Sequence, residues 1–200
     1  MIDKRVDNPR LFAPRPHLPR CLVWSGYAVL IWSLVYMVPH LYWALGGTIG
    51  LSMLKPSVSE IPQWKLINYI ASVFLAAAGV LGISFIYLEK RRFLSWLLLA
   101  ICLIGCSLST SHGIYGMINR ILQIIGVAGL ESGPFNVNEH AYVLWDLMLF
   151  EPWFTIEGVL LGILGWCYLD TPRHKRIWLV LCTIGILVGL VTALFGVRFG

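Results

Sequence analysis

Apolar residues in this chain fall in five blocks of about 20, each followed by a short polar or basic stretch. Blocks of that length span the roughly 30 Å hydrocarbon core of a bilayer as helix. The pattern predicts helices over 22–45, 66–88, 93–113, 142–169 and 177–197. Residues 1–21 break the pattern with Pro9, Pro14, Pro16, Pro19 and five basic side chains. Prolines at that density preclude a helix, so an irregular tail is expected there. The remaining 22–200 reads as one membrane domain. Residues 114–128 stay helical in period but become amphipathic. Ile114, Ile118, Ile121, Leu122 and Ile125 take one face, and Asn119, Arg120 and Gln123 the other. This segment either extends the third span or lies in the interface as a helix of its own. Pro39 interrupts the first span near its end, and Gly46-Gly47 closes it.

Composition agrees with the pattern. The chain is 58% hydrophobic and 12% charged, where soluble proteins are about one-quarter charged. The fold class expected is all-α, a bundle of five transmembrane helices. Eleven of the fifteen Lys and Arg lie in the tail, the 89–92 turn and the 170–176 turn. Lys55, Lys65, Arg120 and Arg198 lie on the opposite side. The positive-inside rule then puts the N-terminus in the cytoplasm and the C-terminus outside. The net charge of +5 is thereby explained as orientation, and nucleic acid is not an expected partner. The lipid bilayer is the expected one, with a small-molecule or lipid ligand and a second copy or partner membrane protein as further classes.

The five cysteines form no CxxC pair. Cys102 and Cys106 share a helix face. Cys21, Cys167 and Cys182 fall near ends assigned to the cytoplasm, where thiols stay reduced. All five read as small buried apolar groups. Gly158 and Gly162, with Gly185 and Gly189, suggest close packing of the fourth span on the fifth.

The fourth block carries three carboxylates, Asp146, Glu151 and Glu157. Ionisable groups at bilayer depth cost several kcal/mol unless paired, hydrated or protonated, so they are site candidates. At 1.5 Å per residue Asp146 lies roughly 6 Å down, Glu151 roughly 13 Å and Glu157 roughly 22 Å. At 100° per residue Asp146 and Glu157 share a face, while Glu151 points about 140° away. Pro152 should disturb the helix beside Glu151 and free the Met148 carbonyl. His40 and His112 fall at the level of Asp146. A layer of His40, His112 and Asp146 is therefore expected, roofed by Tyr42, Trp43, Tyr115 and Arg120, with Glu151 or Glu157 as its floor. Each residue also has a plainer role. His40 suits an interfacial histidine, Tyr42 and Trp43 an aromatic belt, and the acids structural hydrogen bonds. The histidines and acids show no HxxxH, HxH or HExxH spacing, so no metal is expected. No phosphate loop, nucleophile elbow or dinucleotide fingerprint appears, and no cofactor is expected.

The run Tyr36-Met37-Val38-Pro39-His40-Leu41-Tyr42-Trp43-Ala44-Leu45-Gly46-Gly47 resembles the hallmark of a family of small bacterial membrane proteins known only as a domain of unknown function. Glu151-Pro152-Trp153-Phe154 with Gly158 looks like that family's second motif. The resemblance covers the first to the fourth span. It implies a bacterial inner-membrane location and brings no catalytic residues. Three functions stay open: a protein that binds or moves a small solute, lipid or proton through an outward-facing polar pocket; a membrane enzyme acting on a lipid or isoprenoid head group, with Arg120 holding the anion; and a structural or accessory subunit.

Overall fold

The structure, a computed structural model, describes residues 18–51, 62–127 and 139–195. It contains α1 (Arg20–Ala44), α2 (Pro62–Tyr87), α3 (Arg92–Ile124), α4 (Glu139–Trp145), a π-helical turn (Asp146–Phe150), α5 (Glu151–Tyr168) and α6 (Pro172–Leu194). Five helices are long and apolar enough to cross a membrane, α4 and α5 forming one span across Ala141–Tyr168. Most of the 1–21 tail, Lys55, Arg198 and the 131–134 break lie outside the described residues.

Within the described residues, each predicted span is helical to within one residue of its ends. Residues 114–124 are the unbroken continuation of α3, which at 33 residues is about 50 Å long and exceeds the hydrocarbon thickness. Two ends carry the same device. Gly46 and Gly126 adopt positive φ. The amides of Gly47 and Val127 reach back to the carbonyls of Tyr42 and Leu122, at 2.9 Å each, which is the Schellman closure that glycine permits. Helix α6 begins earlier than the apolar block. Thr171 Oγ1 accepts from the His174 amide at 3.2 Å, and Pro172 takes the first helical position, where its missing N–H costs nothing. The basic residues 173–176 are thus helical rather than a turn.

Helix α1 packs on α2 and α5, and α3 packs on α5 and α6, so the order across the bundle is α2, α1, α5, α3, α6. Glycines set these approaches. A Cβ on Gly82 would meet the Gly26 carbonyl, and one on Gly158 the Thr110 backbone and side chain. Gly185 and Gly189 lie against Ser107 and Ser111 of α3. Both small-residue stripes expected to join the fourth and fifth spans therefore face α3, which separates them over most of their length.

Lys90 and Asp170 form an ion pair at 2.5 Å that brings the α2–α3 and α5–α6 turns together. Arg20, Arg91, Arg92, Arg173, Lys175 and Arg176 gather at this basic end. Cys21 and Cys167 are joined there as a disulfide, with Cα atoms 5.8 Å apart. The expectation of free thiols at these two positions is corrected: the start of α1 meets the end of α5, and sequence separation hid that. Cys102, Cys106 and Cys182 are free and buried. At the far end Trp43, Leu51, Trp64, Ala141, Tyr142 and Phe150 form a second core.

Candidate functional site

Two helix faces build the polar interior. On α3, His112, Gly116 and Arg120 recur every four residues and so line one side. On α1, Val29, Ser33, Tyr36, His40 and Trp43 recur at alternating steps of four and three, the spacing of a packing seam. The span Ala141–Tyr168 lies between them and presents acids to both.

Pro152 determines how. It has no N–H for a bond to Met148, and its ring would clash with that carbonyl. The chain answers with the π turn, in which the Glu151 amide bonds to the Asp146 carbonyl. An i→i+5 bond closes a wider turn than an α bond. Five residues then make little more than one full turn, and Asp146 and Glu151 project to the same side, toward α3. The expected pairing of Asp146 with Glu157 is overturned by this single widened turn, since Glu157 faces α1 instead.

Asp146, Glu151 and Glu157 are 6%, 6% and 4% exposed. Asp146 Oδ2 accepts from Arg120 Nε at 2.5 Å. The other Arg120 branches donate to Gln123 Oε1 at 2.9 Å and to the Tyr142 hydroxyl at 3.4 Å. The guanidinium carbon also sits 4.9 Å from the Tyr142 ring centre. One turn deeper, Glu151 Oε2 approaches His112 Nε2 at 3.7 Å, beyond hydrogen-bond range. That oxygen has no hydrogen-bond partner among the described residues. A Cβ on Gly116 would overlap the Glu151 carboxyl group, so the glycine makes the room this acid occupies.

Glu157 Oε1 lies 2.8 Å from Ser33 Oγ, which lies 2.8 Å from the Val29 carbonyl as well. A serine hydroxyl has one proton. Ser33 Oγ–H therefore serves two acceptors, the Val29 carbonyl and Glu157 Oε1, with its single proton. The second oxygen, Glu157 Oε2, has no partner among the described residues.

His40 does not join this group. Asn68 Nδ2 donates to the Trp64 carbonyl at 2.9 Å, which leaves Asn68 Oδ1 as acceptor for His40 Nδ1 at 2.8 Å. His40 Nε2 is then a bare, buried lone pair without a partner among the described residues. Rings fill the space between the two histidines. His40 meets Tyr36 at 4.7 Å, Tyr36 meets Phe154 at 5.7 Å, and Phe154 meets His112 at 4.8 Å. Trp153 lies between Trp32 and Tyr36, stacked on each at 4.1 and 4.8 Å. The expected layer of His40, His112 and Asp146 is therefore split by an aromatic wall.

Tyr42 and Trp43 serve the loop after α1. The Tyr42 hydroxyl accepts from the amides of Thr48 and Ile49, both at 3.3 Å. Trp43 Nε1 donates to the Ile49 carbonyl at 2.9 Å. Tyr115 is half-buried beside Gly116 and has no hydrogen bond among the described residues. Sequence reasoning missed Ser33, Asn68 and Tyr142 as partners of the charged groups. The first two were visible as isolated polar residues within apolar runs. Among the described residues no three His, Cys, Asp or Glu side chains converge as metal ligands.

A family model described as protein of unknown function (DUF3995) matches residues 33–161. That stretch contains Ser33, His40, His112, Arg120 and all three buried acids. No curated protein and no solved structure matches the chain.

Proposed function

The chain belongs to the DUF3995 family of proteins of unknown function, and from that premise, which brings no activity with it, we propose that this multi-pass membrane protein carries protons through its interior, alone or coupled to a small solute. Glu151 and Glu157 are the carriers. The observation that carries this reading is that two buried carboxyl groups at different depths each keep one oxygen without a partner among the described residues. A structural acid in a bilayer is expected to have its oxygens satisfied, whereas a carrier needs a free lone pair to receive a proton.

The roles follow from position. Arg120 is the counter-ion of Asp146, so this pair guards the far end rather than carrying protons. His112, near but not bonded to Glu151, is the proton donor and acceptor for it. Glu157 is reached about 9 Å further along the helix. Trp153 Nε1 and Thr110 Oγ1, buried and unpartnered among the described residues, belong to the stretch between. The charge distribution supports a cytoplasmic basic end in a bacterial inner membrane, with the Arg120–Asp146 pair in the outer half. The head-group enzyme reading loses its main support, since Arg120 already directs three of its five N–H groups to the protein.

The test is proton flux in proteoliposomes under an imposed potential, followed with an enclosed pH-sensitive dye. Glu151→Gln and Glu157→Gln are each expected to bring flux down to that of protein-free liposomes. Flux in both variants equal to that of the parent protein, or no flux in the parent with or without candidate solutes, overturns the reading.

A further inference from the structure

The disulfide at the basic end conflicts with the compartment its surroundings imply. Cys21 and Cys167 are bonded, and Arg20, Lys90, Arg91, Arg92, Arg173, Lys175 and Arg176 cluster around that end. Such a cluster marks the cytoplasmic side, where disulfides in most organisms are transient, catalytic or redox-sensing rather than permanent. The two sulfurs also differ in access. Cys21 is exposed at the first turn of α1, whereas Cys167 is buried, 7% exposed, in the main core. Thiol–disulfide exchange is directed by such access.

We propose that Cys21–Cys167 is a reversible thiol–disulfide exchange site on the cytoplasmic face that clasps α1 to α5. A thiolate from the reductant attacks Cys21 Sγ, the S–S bond breaks, and Cys167 leaves as a thiolate that takes up a proton. A second reductant thiol attacks the mixed disulfide and releases Cys21 as a thiol. Two reductant thiols become one disulfide, and the protein gains two thiols, so atoms and electrons balance. Small thiols such as glutathione, or a protein dithiol, supply this chemistry.

The clasp joins the two helices whose contact holds Glu157. Ser33 on α1 lies twelve residues from Cys21, and Glu157 on α5 lies ten from Cys167. The Trp32 indole also donates to the Trp153 carbonyl across this seam at 3.2 Å. Opening the bond removes the covalent restraint at the basic end of the seam and leaves packing and these hydrogen bonds to hold it. The site rests on the orientation given above, not on proton carriage.

The experiment uses the full chain in native membranes, prepared as right-side-out and as inverted vesicles. Each is treated with reduced glutathione, which does not cross the bilayer, then quenched, denatured and labelled with a polymer-tagged maleimide. Each free thiol adds one step on a gel. Inverted vesicles should go from three steps to five, right-side-out vesicles should stay at three, and Cys21→Ser should give four in every condition. The unfolding midpoint of the purified chain should fall on reduction, and that of Cys21→Ser should not respond. Five steps throughout would mean that no disulfide forms, and three throughout would mean an inert staple. Either overturns the exchange site while leaving the orientation intact. A change confined to right-side-out vesicles overturns the site and the orientation together. An unchanged midpoint overturns the clasp.

Discussion

Removing Arg120 tests whether the buried ion pair organises the far end. Arg120 and Asp146 side chains are 17% and 8% exposed, so solvent screens them little. Arg120→Met removes the charge but retains much of the apolar stem, leaving Asp146 buried without its counter-ion. Breaking a buried pair from one side costs about 3–5 kcal/mol, which for a chain of this size corresponds to roughly 6–20 °C in unfolding midpoint. Asp146→Asn leaves the guanidinium unpaired and should fall in the same range. The double variant leaves no uncompensated charge, so it should lose less than the sum of the two single losses. Lys90→Ala is the internal control. Its partner Asp170 is 72% exposed, and exposed pairs contribute at most about 1 kcal/mol. The assay is thermal unfolding in detergent, read by size-exclusion recovery after heating. Single variants that shift no further than Lys90→Ala, or a double variant whose loss is the full sum of the singles, would refute the idea of a strongly coupled buried pair.

Two smaller perturbations probe the local architecture. Gly116→Ala drives a methyl group into the Glu151 carboxyl space; an overpacking cost of about 1–3 kcal/mol is expected, with loss of proton flux, and a variant as stable and active as the parent would contradict the close approach. Tyr42→Phe removes the acceptor for two loop amides; hydrogen exchange at Thr48 and Ile49 should accelerate by about fivefold, the equivalent of roughly 1 kcal/mol, while amides within α1 stay protected.

The sequence alone determined the number of membrane-crossing helices, their approximate bounds and the asymmetry of charge between the two ends. Those properties are local: 20 apolar residues can satisfy their backbone in a bilayer only as helix, and Lys and Arg counts need no knowledge of packing. It also singled out Asp146, Glu151 and Glu157, because a carboxylate in an apolar run is conspicuous whatever surrounds it. The helix stop at Gly46-Gly47 was legible for the same reason, since it depends on a few adjacent residues.

The tertiary structure decided which groups meet. A regular 100° step assigned Asp146 and Glu157 to one face, but Pro152 forced a π turn that moved Asp146 into register with Glu151. One widened turn re-aims every side chain beyond it, and that response depends on what the neighbouring helix offers. Gly116 on α3 offers room for Glu151. His40 and Asp146 were matched in depth, yet each found its partner on a different helix, Asn68 on α2 and Arg120 on α3. Depth follows from residue count along one helix. Facing follows from rotations set by glycine contacts and aromatic stacking between helices, and so does the meeting of Cys21 with Cys167, 146 residues apart.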